Sequence, residues 1–164
     1  GCEWKGIDFS MFWQGVAKRD LWLDGLMFWG ISGGEWQSTG LKEHLDYYRP
    51  ENTTSVFGPN TNAYFPKMYM SKDMNQKVQT RYLQNGAYAR LKNIQLGYTF
   101  PTQIINKLHM QKLRVYVSAE NVLTITSLPS GFDPETTYSS YSDGNSGKTY
   151  PLQTTISFGL NATF

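Results

Sequence analysis

At 164 residues the chain could hold one ordinary domain, yet aromatics make up 15% of it and its aliphatic runs are short. The longest apolar stretch, around Leu26 to Ile31, is broken by Gly30 and falls short of the roughly 20 residues a transmembrane helix needs, which excludes a helical membrane protein. A net charge of +2 spread along the chain excludes a nucleic-acid partner, and the lone Cys2 excludes both an intrachain disulfide and a CxxC metal knuckle.

Strand alternation begins at once. Over 3–16, Ile7, Phe9, Met11 and Trp13 alternate with Asp8, Ser10, Phe12 and Gln14, a two-residue period that places them on opposite faces. No apolar leader precedes Gly1-Cys2, so a lipid-modified cysteine is not expected. The long connection 17–85 has structure of its own. Asp20 to Gly30 fits either a helix through Trp22, Leu26 and Trp29 or an extension of the first strand. Leu41, Leu45 and Tyr48 fall at i, i+4 and i+7, with Ser38 or Thr39 as N-cap and Pro50 as stop, and predict a short amphipathic helix near 39–49. Beyond it, 49–66 is rich in Pro, Asn, Thr and Gly and reads as irregular.

The second strand is placed at 86–100. Ile94, Leu96, Tyr98 and Phe100 oppose Asn93, Gln95, Gly97 and Thr99, but Ala89 and Leu91 sit in the other phase, which predicts a β-bulge near Lys92 and Asn93. A short turn, 101–112, carries Pro101 and then Ile104, Ile105 and Leu108 at the spacing of one helical turn. The third strand, 113–126, sets Leu113, Val115, Val117 and Ala119 against Arg114, Tyr116, Ser118 and Glu120. After a second long connection, 127–151, the fourth strand at 152–164 alternates Ile156, Phe158, Leu160, Ala162 and Phe164 with Ser157, Gly159, Asn161 and Thr163.

Apolar outside and polar inside, with Arg90, Arg114 and Glu120 directed into a wet lumen, is the pattern of a transmembrane β-barrel. Ten residues at about 3.3 Å each, tilted about 45°, span roughly 23 Å, close to the apolar band of an outer-membrane barrel. Long connections at 17–85 and 127–151 against a short one at 101–112 place the long ones outside the cell and the short one in the periplasm. Four strands cannot close, and open edges in hydrocarbon are prohibitive, so the sheet must belong to a larger barrel. One reading of another class stays open: a secreted, carbohydrate-binding β-sandwich would share the short strands and aromatics but turn its apolar faces together.

Sites of chemistry are sparse. Asp133 and Glu135 lie in a loop around Pro134 with no sign of a tuned acid and base. His44 beside Glu43 and Asp46 fits a cation site less well than a solvated helix face, and His109 has no evident ligand partner. Gly30 to Gly34 lacks the Lys-Ser or Lys-Thr of a phosphate loop, and 142–148 lacks the ligand spacing of a calcium loop. The sequons at Asn52 and Asn161 carry no information for a bacterial outer membrane. The aromatics Trp22, Trp29, Trp36, Tyr47, Tyr48, Phe57, Tyr64 and Phe65 lie in the long loop where an extracellular ligand or partner arrives. They can stack on sugar rings, anchor a protein interface or pack the loop's own core.

Several blocks together resemble one family: Trp4-Lys5-Gly6-Ile7-Asp8-Phe9-Ser10; Tyr88 through Pro101; Leu113 through Thr124; and Tyr150-Pro151 with the closing Phe158 to Phe164. Arg49-Pro50-Glu51-Asn52 and Gly131-Phe132-Asp133-Pro134-Glu135 agree with them. In order and spacing these are similar to the C-terminal end of the TonB-dependent outer-membrane transporters of the SusC/RagA type. The resemblance implies an all-β fold, the last four strands of an antiparallel transmembrane barrel of about 22 strands filled by a plug, with long extracellular loops. It implies no enzyme and no cofactor. It implies partners: a SusD-like surface lipoprotein over the loops, TonB acting through the plug, the remainder of the barrel, and outer-membrane lipid. The function expected is energy-coupled import of a glycan fragment or peptide, with Trp22, Trp29, Trp36, Tyr47, Tyr48, Tyr64 and Phe65 as candidates to touch substrate or the lipoprotein. Phe158, Leu160 and Phe164 resemble the barrel-assembly signal. A siderophore receptor and a passive porin are the rivals within the membrane class.

Overall fold

The computed structural model of the chain describes residues 1–30, 40–69, 74–137, 147 and 149–164. Its elements in chain order are β1 (Cys2–Trp4), β2 (Ile7–Val16), β3 (Asp20–Leu21), helical turn α1 (Leu26–Trp29), β4 (Gln84–Asn85), β5 (Tyr88–Thr99), helical turn α2 (Thr102–Ile105), β6 (Lys112–Thr126) and β7 (Thr155–Thr163). They divide into two units: a sheet unit of Gly1–Arg19, Gly86–Ser127 and Leu152–Phe164, and a loop unit of Asp20–Asn85 and Leu128–Pro151.

The sheet unit is an antiparallel sheet of order β1-β2-β5-β6-β7. It has five strands rather than four, because the segment expected as one strand over 3–16 is a hairpin. Lys5 (φ 48) and Gly6 (φ 85) both lie in the left-handed region, as a two-residue type I′ connection requires. Gly6 also packs so closely on β5 that a Cβ there would stand 2.6 Å from the Thr99 carbonyl oxygen. The other short connection, between β5 and β6, runs through α2 and ends at His109, again left-handed at φ 56. Its apolar anchor is Ile105, which is fully buried. Both short connections sit at one end of the strands, and both long ones open at the other.

Register turns the alternation into rows. Ile7, Tyr98, Val115 and Leu160 are cross-strand partners, as are Phe9, Leu96, Val117 and Phe158, and Met11, Ile94, Ala119 and Ile156. The rows between them are polar or small: Asp8, Gly97, Tyr116 and Gly159, then Ser10, Gln95, Ser118 and Ser157. The pairing of β2 with β5 slips at Lys92, so Leu91 and Ala89 rejoin Trp13 and Gly15 on the apolar face. Between β5 and β6 a second bulge sets Asn121 and Val122 against Lys92 alone, and Asn121 takes φ 52 to make it.

The loop unit has an aromatic core. Leu21, Leu23, Phe28, Trp29, Phe65, Tyr82, Leu128 and Phe132 are buried together, with edge-on ring pairs such as Phe28–Trp29 at 5.1 Å and Trp29–Tyr82 at 5.0 Å. The helix expected near 39–49 is not formed. Lys42–Leu45 is a single 3-10 turn, after which Tyr47 bridges to Phe65 and Arg49 to Asn60. Nor is Asp20 to Gly30 a helix or a strand extension, since β3 pairs briefly with β4 and α1 is one turn. The proposed caps Ser38 and Thr39, residues 31–34 of the glycine stretch, and 142–148 except Gly147 lie outside the described residues.

Candidate functional site

The sheet presents two faces of opposite chemistry, and the apolar one is exposed. Phe158 is 84% and Leu160 63% solvent-accessible, and Ile7, Met11, Leu96, Ile125 and Ile156 are exposed beside them. Moving a Phe or Leu side chain from water to an apolar phase is worth about 1.5–3 kcal/mol, so ladder after ladder of such residues requires hydrocarbon around it. The edge strands β1 and β7 each carry an outer row of backbone N–H and C=O groups, which hydrocarbon tolerates only when further strands pair with them.

On the polar face the side chains bond to one another. Arg114, on β6, reaches across β5 to Asp8 on β2, with Nε donating to Oδ1 at 2.9 Å and Nη2 to Oδ2 at 2.5 Å. The guanidinium lies 4.9 Å from the Tyr116 ring centroid, and the phenol end of that ring occupies the space over Gly159, leaving no room for a Cβ there. Arg90 is almost completely buried and donates from Nε to Thr124 Oγ1 at 2.7 Å, so it does not project into open water as its charge suggests. Glu120, paired with Asn93, is exposed on the same face.

In the loop unit the polar groups build structure. His44 is buried, accepts the Leu41 N–H at Nδ1 (2.9 Å) and donates from Nε2 to the Phe28 carbonyl (3.0 Å), which leaves no nitrogen for a cation. It is therefore neither a metal ligand nor part of a solvated face. Gly30 (φ 57) lies under its ring, where a Cβ would stand 2.5 Å from Nδ1. Arg49 is buried and bonds to backbone carbonyls: Nε donates to Gly58 O at 2.6 Å and Nη1 to Leu45 O at 2.8 Å.

Asp46 accepts from Asn60 Nδ2 (2.8 Å) and the Tyr64 N–H (3.2 Å), while Asp133 Oδ1 accepts the Glu135 N–H (2.9 Å) and so shapes its own turn. Among the described residues no group of His, Cys, Asp and Glu is placed to hold a metal. A cleft of about 520 Å³ in this unit is lined by Phe28, Glu43, His44, Asp46, Tyr64 and Phe65 among others.

No family model matches the chain. It is 28% identical over 169 residues to TonB-dependent receptor P3 of Formosa agariphila, covering 99% of this chain and 15% of that protein. To TonB-dependent receptor P26 of the same organism it is 25% identical over 168 residues, covering 99% and 16%. Among solved structures, the RagAB peptide transporter superposes with a TM-score of 0.68 at 26% identity over 98% of this chain and 16% of the other. The RagAB peptide importer in its open-open state gives 0.62 at 25% identity over the same shares. In sequence and in fold the chain is similar to TonB-dependent receptors of the SusC/RagA type. It spans about a sixth of the length of these relatives, and its sheet is one part of the receptor's larger antiparallel barrel. The polar rows are accordingly the lumenal side of the receptor wall, and the apolar rows face lipid.

The structure places the loop aromatics unequally. Trp29, 1% exposed, and Phe65 belong to the core of the loop unit, and Trp22 and Tyr47 pack against it. Trp22 meets Trp29 at 5.9 Å between ring centroids. Tyr48 and Tyr64 keep exposed faces, and Trp36 lies outside the described residues. Sequence reasoning passed over Val56, the most exposed large apolar side chain among the described residues of the unit, because an isolated valine in a polar stretch carries no periodic signal.

Proposed function

We propose that this chain supplies wall and extracellular loops to an outer-membrane importer that takes up a nutrient too large for porins, a peptide or a glycan fragment. A SusD-like lipoprotein closes over the loops from outside, and TonB draws on the inner-membrane proton gradient to displace part of a plug held in the rest of the barrel. The two-faced sheet carries the reading, because a lipid-facing ladder backed by bonded lumenal side chains suits a rigid wall around a moving plug. The likeness to the RagAB peptide importer supports peptide as the first cargo to test.

The test is uptake of labelled oligopeptides and oligosaccharides by cells carrying the full-length receptor, with and without TonB. Uptake of either class that disappears without TonB is expected. Uptake that persists without TonB returns the receptor to a passive porin, and uptake confined to iron chelates makes it a siderophore receptor.

A further inference from the structure

His44 is set between two segments of the loop unit in a way that admits one protonation state. A backbone N–H can only donate and a carbonyl can only accept. The Leu41 N–H therefore needs a bare Nδ1, at 2.9 Å, and the Phe28 carbonyl needs the proton on Nε2, at 3.0 Å, so the ring that makes both bonds is neutral. The first bond starts a turn. Leu41 opens the 3-10 turn Lys42–Leu45, and its N–H is one of the donors that a helical turn leaves without an internal partner. The second reaches α1, so the ring latches 41–44 to 26–29. His44 is 6% exposed, and chain from the rest of the receptor can only bury it further.

The place is shaped for this ring. Phe65 meets it edge-on at 5.4 Å between ring centroids, and Gly30, left-handed at φ 57, keeps clear the space beside Nδ1 that a Cβ would fill. The charge around it is one-sided. The Leu-Met-Phe-Trp turn of α1 brings none, and Asp24 ahead of it bonds the Gly25 N–H. The segment of Phe65 brings the Tyr64 phenol, which accepts from Gln84 Nε2 at 2.9 Å. Pro129, Ser130 and Phe132 bring no charge to the cleft, and Asp133 beyond them bonds the Glu135 N–H. The ring's own segment carries Lys42, Glu43 and Asp46, and of these the two carboxylates line the cleft with the ring.

A second proton reverses this chemistry. Placed on Nδ1, it sets one N–H against another, so the bond to Leu41 becomes a repulsion while the ring cation gains attraction from Glu43 and Asp46. Acid populates whichever arrangement holds the proton better, which is the one in which the ring has left Leu41.

We infer that His44 is an acid-released latch of the loop unit, holding 41–44 against 26–29 while its ring is neutral and letting go of Leu41 when the medium turns acid. Histidine suits the task, because imidazole exchanges its proton in the range of pH that a cell surface meets. The latch stands on bonds within the loop unit. Only its contact with the outside medium rests on the import reading above.

The experiment follows backbone hydrogen exchange of the full-length receptor in detergent at about pH 7.5 and about pH 5.5, each rate divided by the intrinsic exchange rate at that pH. The unaltered receptor is compared with His44→Asn, whose side-chain carbonyl can accept the Leu41 N–H but does not titrate. Protection of residues 40–42 should fall about tenfold or more on acidification of the unaltered receptor, with β5 and β6 unchanged, and should not depend on pH in the variant. Equal protection of the unaltered receptor at the two pH values overturns the latch, and so does an equal fall in the variant.

A variant that leaves 40–42 unprotected throughout still serves as the blank for a second readout, nitrogen NMR of the receptor labelled at its histidine rings. The signal missing from His44→Asn should show a bare Nδ1 beside a protonated Nε2 at the higher pH and two protonated nitrogens at the lower. The first pattern at both pH values overturns the latch. Loss of the latch leaves the import reading standing, since that reading fails on uptake that persists without TonB.

Discussion

Arg114 and Asp8 meet over the bare backbone of Gly97, although they sit on strands that are not neighbours and lie 106 residues apart in the chain. The bond exists because β5, which runs between them, carries no side chain at that point. A Cβ on Gly97 would lie 2.5 Å from both Arg114 Nη2 and Asp8 Oδ1. Gly97→Val should therefore part the pair and lower the temperature at which the receptor loses its heat-modifiable folded form, by an overpacking cost of about 1–3 kcal/mol. Shortening the obstructed partner in the same protein, with Asp8→Ser, should recover part of the loss. A valine variant as resistant as the unaltered receptor would show that the pair does not brace the wall.

The two faces of β7 make opposite demands on a charge. Phe158, in the row of Phe9, Leu96 and Val117, faces lipid near the middle of the span, whereas Ser157 faces the lumen beside Ser118. Phe158→Arg is expected to cost about 2–4 kcal/mol of folding free energy in bilayers, and Ser157→Arg far less. Folding into vesicles of fixed thickness under a urea gradient measures both, and equal sensitivity at the two positions would contradict the facing.

How much of this was legible depends on whether a feature disturbs the two-residue period. The slip at Lys92 is visible in the sequence because Leu91 and Ile94 stand three apart and so change phase. The second bulge is not, since Ala119 and Leu123 stand four apart and keep phase across Asn121 and Val122. The first hairpin does change phase, since Trp4 and Ile7 stand three apart, but only Cys2 and Trp4 precede the turn, too few residues to establish the rhythm that Lys5-Gly6 interrupts. In the loop unit a helical spacing of Leu41, Leu45 and Tyr48 is overridden by long-range pairing of Tyr47 and Arg49 with Phe65 and Asn60, which no local window contains. The polarity of Arg114 was legible. Its partner was not, because nothing in a sequence says that Asp8 lies two strands away across a glycine.

His44 ties two segments of the loop unit through its two ring nitrogens. His44→Ala removes both bonds and leaves a half-buried Leu41 N–H and a buried Phe28 carbonyl to be satisfied otherwise, a local cost of up to about 1–3 kcal/mol for the buried group left bare. Hydrogen exchange at residues 26–30 and 40–46 should accelerate while the exchange of β5 and β6 is unchanged. Added zinc should not protect the unaltered protein in this region. Protection by zinc would reinstate a cation site with Glu43 and Asp46.

Arg49→Lys keeps the charge and discards the fork. A lysine ammonium cannot reproduce the paired donation to the Gly58 and Leu45 carbonyls, each hydrogen bond from a charged group being worth about 1.5–3 kcal/mol. The loop around Val56 should become an early site of proteolytic cleavage in the folded receptor, with the strands still resistant. Unchanged cleavage kinetics would show that the loop is ordered by its backbone bonds alone.

Asn121 is the residue where backbone conformation and side chain can be separated. It takes φ 52 inside β6, donates from Nδ2 to the Gln153 carbonyl at 3.1 Å and accepts the Thr154 hydroxyl on its own carbonyl oxygen at 2.9 Å, so it fastens the approach to β7 as well as making the bulge. Asn121→Gly retains the left-handed backbone and loses the side-chain bond, about 1 kcal/mol. Asn121→Ala loses the same bond and adds the penalty of a Cβ in the left-handed region, about 1–2 kcal/mol more. The order of folded stability should be Asn, then Gly, then Ala, measured by the same urea gradient in vesicles. An alanine variant at least as stable as the glycine one would mean that β6 can abandon the bulge and re-register against Lys92 without loss.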